Sequence, residues 1–210
     1  DPDPLRYMLT MNMPETGDSD FSWREFVRRN NDELVSTYGN LVNRILSFTY
    51  RNFDGLVPTP EKLDEHDTAL LEAASQTLER VTTHLENVRI RPALTAVFGL
   101  AQETNRYLDT QAPWKAIKTD RNKAATTLWV GINVLNYLKV LLSPFLPFSS
   151  QQVHEYLGLV GNSSDEVWPE TWASNVIQAG SRLVQPLPLY KKLEFEAIES
   201  ETLSLDEVSK

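Results

Sequence analysis

Apolar residues along this chain recur at threes and fours for most of its length. The run FSWREFVRRNNDELVSTYGNLVNRILSFTYRNF sets Val27, Leu34, Tyr38, Leu41, Ile45 and Phe48 on one helical stripe, behind Ser22 and Glu25 in capping-box spacing. This predicts a long amphipathic helix over about residues 23–51, ended by Asp54-Gly55 and by Pro58 and Pro60. A second helix is predicted over about 65–87, with Leu71, Ala74, Leu78, Val81 and Leu85 in register. A third opens at Pro92, where a missing N–H costs nothing, carries Ala93, Val97, Leu100 and Tyr107, and must stop before Pro113. A fourth, about 120–142, carries Leu128, Ile132, Leu135, Leu138 and Leu142 and is closed by Pro144. A short fifth follows near 150–157, capped by Ser149 or Ser150.

Beyond it the helical period fails. Residues 158–190 hold Gly, Pro, Ser and two tryptophans, as an ordered excursion wrapping the helices would, and from Glu194 the chain is acidic and sparsely apolar, as in a tail or linker. The fold expected is all-α: an antiparallel bundle of four long helices and a shorter fifth, with an irregular C-terminal wrap.

Composition narrows this little. With 210 residues, 41% hydrophobic, the chain can bury one sizeable core. It has no cysteine, which excludes disulfides, thiolate zinc sites and a thiol nucleophile and fits a reducing compartment. The pattern shows no apolar run of the twenty or so residues that cross a bilayer and no signal peptide, so a soluble, intracellular, cytoplasmic protein is expected. It begins with Asp rather than Met, as a piece of a longer chain does.

The net charge of −9 argues against a protein that coats nucleic acid through many phosphate contacts. Its distribution is uneven, however: from Arg89 to Lys123 seven basic residues face three acidic ones. Within this basic island lies NRYLDTQAPW at 105–114, a polar helical turn ended by a proline with a tryptophan directly after it. Trp114 can be a plug at one end of the core, an anchor for a protein partner, or a stacking surface for a flat ligand. Trp23 and Trp129 are the better core candidates. Asn40 and Arg44 in GNLVNR, four apart, share one helix edge, where an amide beside a guanidinium can either read a nucleobase edge or tie one helix to another. If bases bind, Trp114 supplies the plane and Asn40 with Arg44 the edge contacts. Asn43, Arg106, Lys115 and Lys118 are supporting or phosphate-contact candidates, and Asn105, Arg106 and Tyr107 brace the loop. No catalytic residues and no metal site are expected: His66, His84 and His154 lack ligand spacing, and no glycine-rich phosphate loop or nucleophile elbow is present.

These residues carry a resemblance. DPDPLRYML, DFSWREFVRRNNDELVSTYGNLVNR, ETNRYLDTQAPWK and INVLNYLKVLLSPFLP, in that order, resemble the C-terminal part of methionyl-tRNA synthetases, class I aminoacyl-tRNA synthetases; PLPLYKKLE at 186–194 matches more loosely. The resemblance implies an anticodon-binding domain at 21–193 that reads the CAU anticodon of tRNA(Met) through Asn40, Arg44 and Trp114. It places 1–20 at the end of a connector from a catalytic body of the same chain and 194–210 in a tail or linker. The family ligates methionine to tRNA using ATP and magnesium. Its HIGH and KMSKS sequences and zinc knuckle are not in these residues, so RNA binding without aminoacylation, and no cofactor, is expected of this part. DNA and membrane partners are not expected. The alternatives are a helical protein-interaction module anchored by Trp114, or the anticodon domain of a sibling class I synthetase.

Overall fold

In the computed structural model the structure describes residues 2–14, 20–171 and 176–196. The long predicted helix is one rod in three parts: α2 (Trp23–Arg29), a π-helical stretch (Asn30–Gly39) and α3 (Asn40–Asn52). Ser22 caps α2 by accepting the Glu25 N–H at 3.4 Å, while the Glu25 carboxylate turns to Arg28 and Arg29 instead of closing the capping box. In the π stretch the Ser36 and Thr37 hydroxyls donate five residues back, to the carbonyls of Asn31 and Asp32, as the wider turn requires. Val27, Leu34, Tyr38, Leu41 and Ile45 are buried as their spacing predicts. Phe48 is only half-buried, and Val42, Leu46 and Thr49 take the remaining core positions. Trp23 is a correction: it is 43% exposed and packs edge-on against Phe21 and Phe26, because it sits on the first turn, ahead of the core-facing stripe.

Ahead of this rod lies an unpredicted helix, α1 (Asp3–Met11), in the segment read as connector. It serves another helix directly. The buried Asp3 carboxylate accepts the backbone N–H and the hydroxyl of Ser149, both at 2.6 Å, in the first turn of α8 (Pro147–Tyr156). The expected cap by Ser149 or Ser150 is therefore wrong: α8 starts at Pro147, both serines are helical, and a carboxylate from afar answers the free amide.

Helices α4 (Glu65–Glu86), α5 (Ile90–Gln111) and α7 (Arg121–Leu142) fall within a few residues of prediction. α4 opens with a capping box between Asp64 and Asp67. Among the described residues α7 alone is long and apolar enough to cross a membrane, contrary to the sequence reading, but 94% of that stretch is buried in the protein. It is the central helix and packs against α3, α4, α5 and α8, so it needs no polar face. Gly131 lets α3 close on it, since a Cβ there would stand 3.0 Å from the Ile45 side chain.

The chain after α8 does wrap the bundle. Asn133 of α7 grips the backbone of Ile177, accepting its N–H at 3.1 Å and donating to its carbonyl at 3.4 Å. Arg182 pairs with Leu56 in an isolated antiparallel bridge, and the Trp168 indole donates to Thr82 at 2.9 Å. Residues 172–175, within the predicted wrap, and 197–210, most of the predicted tail, lie outside the described residues.

Four tyrosines, Tyr7, Tyr38, Tyr107 and Tyr190, are buried around this core, and burial raises the pKa of each. Bonds to the Glu33 and Asp67 carboxylates hold the Tyr7 and Tyr107 protons further. A phenol with a raised folded pKa contributes stability below its unfolded value of about 10 and loses it as pH rises beyond. Lys139, whose pKa burial lowers, works in the opposite direction, but it is one group against four. Urea unfolding should therefore show stability falling above about pH 10, with Tyr38→Phe reducing the slope; equal midpoints at pH 9 and 11 would contradict this.

Candidate nucleic-acid interface

The site begins where α5 ends. Near its last turn the Tyr107 hydroxyl donates to Asp67 at 2.6 Å and the Gln111 amide to Asp64 at 2.8 Å, pinning α5 to the start of α4. Ala112 then takes a left-handed conformation (φ 42°), its N–H closing on the Leu108 carbonyl, and stops the helix. Pro113, buried and pre-set in φ, opens the one-turn helix α6 (Pro113–Ala116), and Asp120 caps α7 directly after by accepting the Lys123 N–H at 2.9 Å. Trp114 is thereby held on a short rigid bracket, packed against the core yet partly open to solvent.

Arg44 of α3 meets it. The guanidinium carbon stands 4.7 Å from the centre of the Trp114 ring, within cation–π range. Its two terminal nitrogens donate to Asn105 at 3.0 Å and to Asp109 at 2.5 Å. Asn105 in turn donates to the carbonyls of Thr37 and Ala101 at 3.1 and 3.2 Å, which fixes the amide that receives Arg44. Arg44 thus spans α3 and α5 and lies over the indole with its side chain 22% exposed.

Asn40 stands one turn earlier on α3. It is exposed, and its amide has no hydrogen-bond partner among the described residues. It faces a groove of about 370 Å³ between the rod and residues 188–190. Asn43, also exposed, borders the same groove and accepts the Ser47 hydroxyl at 2.6 Å. Of the predicted supporting set, Lys115 follows Trp114 on its bracket, Lys118 comes just after it, and Arg106 lies on α5; all three are exposed. Asn105 and Tyr107 brace the site as expected. Arg106 does not, because its position on α5 turns to solvent. Elsewhere in the basic island Arg121 is engaged, donating to the Asn52 carbonyl and lying 4.5 Å from the Phe53 ring.

An exposed amide on α3 and, one turn on, a planar cation over a partly exposed indole are the kinds of group that stack on and read a flat, hydrogen-bonding ligand. Sequence reasoning missed Asp109 as the anchor of Arg44, although Asn105 and Asp109 show the i, i+4 spacing that places them on one face. It also missed the groove wall at 185–190, which contact rather than periodicity brings to α3.

Comparison with known proteins shows the family and the fold. Residues 57–204, well over half of the chain, match the family described as the anticodon binding domain of methionyl tRNA ligase. The chain belongs to the methionyl-tRNA ligase family. Residues 1–46 match a second family description, tRNA synthetases class I (M). The methionine–tRNA ligase of Roseiflexus castenholzii is 43% identical over 97% of this chain and 38% of its own length. That of Dehalococcoides mccartyi (strain 195) is 48% identical over 95% of the chain and 35% of its own length. The apo form of Mycobacterium tuberculosis methionyl-tRNA synthetase superposes with a TM-score of 0.83 at 30% identity, over 91% of this chain and 39% of that one. The same M. tuberculosis enzyme bound by methionyl-adenylate gives a TM-score of 0.81. The all-α methionyl-tRNA ligase anticodon domain is therefore the fold, and the chain spans little more than a third of the length of these relatives.

Proposed function

We propose that this domain reads the CAU anticodon loop of tRNA(Met) for a cytoplasmic enzyme that joins methionine to that tRNA using ATP. The observation that carries the reading is the stack of Arg44 on a partly open Trp114 beside the unpartnered amide of Asn40, in a chain of this family. In this reading residues 1–20 end a connector from the catalytic body, 21–193 form the anticodon domain and 194–210 are an acidic tail or linker. A loop base stacks on the indole, with Arg44 staying on its Asn105 and Asp109 tethers or swinging to a phosphate. Asn40 and Arg44 present hydrogen-bond groups to base edges. A wrong base leaves the Asn40 amide covered and unpaired, which costs more than a small loss of apolar contact. Lys115, Lys118 and Arg106 add phosphate contacts around the loop.

ATP and magnesium belong to the adenylate chemistry of the whole enzyme. The residues of this chain do not fit them: no three His, Asp or Glu among the described residues gather to hold a metal, and the sequence has no glycine-rich phosphate loop.

The test is a titration of the 210-residue chain with a CAU anticodon stem-loop and with loops altered at each anticodon base. Binding should favour CAU and should weaken with salt along a shallow slope, since an acidic domain meets few phosphates. Equal binding of all loops would overturn the reading. Tight capture of a protein partner, insensitive to salt, would favour the protein-interaction alternative.

A further inference from the structure

The groove beside Asn40 continues along α3. Past Asn43 it runs into a second depression of about 230 Å³, where Ser47 and Arg51 of the helix face Gln185 and Pro186. Both depressions share Asn43 on the helix side, with residues 188–190 walling the first and Gln185 and Pro186 the second, so together they form one trough beside the strip of α3 that carries Arg44.

The outer wall is held from the π-helical stretch. Asn31 grips Leu193 as a neighbouring strand would, donating to its carbonyl at 2.8 Å and accepting its N–H at 2.9 Å. Asn30 donates to the Lys191 carbonyl at 2.9 Å. One edge of the Tyr190 ring packs against Gly39, where a Cβ would meet it at 3.1 Å. Two consecutive asparagines inside a helix are poor helix formers, and here both spend their amides on the returning chain.

The chemistry of the trough is lopsided. The Asn43 carbonyl oxygen accepts the Ser47 hydroxyl, which leaves its N–H pair without a partner among the described residues, and the Asn40 amide likewise has none. Across from them stand the buried Pro186 and the exposed Pro188, neither of which has an N–H to donate. Cations stand at both ends. Arg51, tied through its Nε to the Ser47 carbonyl at 3.1 Å, flanks one, and the exposed Lys191 and Lys192 lie just beyond Tyr190 at the other. A slot with flat apolar sides, amide donors along one edge and cations at its ends suits a nucleobase on a phosphate backbone better than an apolar peptide.

We propose that this trough is a second subsite for single-stranded RNA, receiving a nucleotide next to the one stacked on Trp114, with Asn43 contacting its base and Asn31 positioning the wall. The proposal rests on the anticodon reading and deepens it. It makes residues 185–193 part of the binding site and gives the π-helical stretch a task, setting the width of the slot.

The test is an abasic scan of the CAU stem-loop against wild type, Asn43→Ala, Asn31→Ala and Trp114→Ala, with the melting temperature of each. Asn43→Ala should weaken the intact loop five- to tenfold without moving the melting temperature. It should cost nothing further against one loop made abasic at a position other than the one that abolishes the Trp114→Ala effect. Asn31→Ala should weaken the same loop and raise hydrogen exchange at 185–193. Asn43→Ala losses that persist against every abasic loop, or no loss at all while Trp114→Ala still weakens binding, would overturn the trough and leave the anticodon reading standing. Failure of the wild type to bind any stem-loop would overturn both.

Discussion

Trp114→Ala is expected to weaken binding of a CAU anticodon stem-loop by about one order of magnitude and by up to two. A base stacked on an aromatic side chain contributes about 1–3 kcal/mol by alanine substitution, and each 1.4 kcal/mol is tenfold in affinity. A loss toward the upper end is expected because the ring also carries Arg44, at 4.7 Å from its centre. Without the indole the guanidinium keeps its Asn105 and Asp109 tethers but loses the plane beneath it. Trp114→Phe should retain most of the affinity, since a smaller π face remains. Trp114 also packs against the core, so some loss of melting temperature accompanies the alanine variant. The two effects separate by fluorescence titration far below the transition. Unchanged affinity at that temperature would remove the stacking role.

The second large effect lies far from the RNA. Lys139, in the last turn of α7, has a side chain with no exposure at all. Its ammonium donates to Glu166 at 2.6 Å and faces Nδ1 of His154 at 3.2 Å. Nε2 of the same imidazole meets the Val160 carbonyl at 3.3 Å, and Nδ1 also stands 3.4 Å from the Glu166 carboxylate. This network fastens the start of the C-terminal wrap to the bundle. Burial lowers the Lys139 pKa, and the Glu166 carboxylate opposes the shift.

Glu166→Ala should therefore destabilise the protein by about 3 kcal/mol. Breaking one side of a buried pair costs 3–5 kcal/mol, and the lower end applies because the Glu166 side chain is 28% open to water. Lys139→Met should cost less than Glu166→Ala, because the carboxylate it leaves unpaired is 28% open to water whereas the ammonium left by Glu166→Ala is fully buried. Glu166→Ala should then cost little in the Lys139→Met background. The pH dependence has a definite sign. A lysine with a depressed folded pKa is penalised while the unfolded chain keeps its proton, so the gap between Glu166→Ala and wild type should narrow as pH rises toward about 10.4. Urea midpoints of the four proteins at two pH values measure all of this. Additive losses in the double variant would show that the pair does not hold the wrap.

The long helices were legible in the sequence because their apolar residues keep one period over many turns and each is bounded by Pro, Gly or a capping carboxylate. What that pattern hid has identifiable causes. The π-helical stretch keeps Leu34 and Tyr38 inward, so a stripe of threes and fours does not show the change of turn. Helix α1 was missed because Pro2 and Pro4 stand at its start, and proline tells equally of a first helical turn or of a loop. Trp23 was misplaced because aromatic size says nothing of which way the first turn faces. At the interface the three residues chosen from the sequence are all on the surface or partly so, and two of them touch. The Asn105 and Asp109 tethers, and the wall at 185–193, are contacts between residues 61 to 162 positions apart, beyond the reach of a local pattern.

By itself the sequence determined the all-α class, the bounds of the four long helices and the chemical types at the site, since each depends on periodicity, caps and side-chain identity within a few residues. The tertiary structure alone decided that Arg44 lies over Trp114 while Asn40 has no partner among the described residues, that Asp3 caps a helix begun 144 positions later, and that the returning chain makes a trough of a helix face. These are meetings between distant segments. They follow from how helices pack and where a buried polar group can find its partner, which no stretch of sequence states alone.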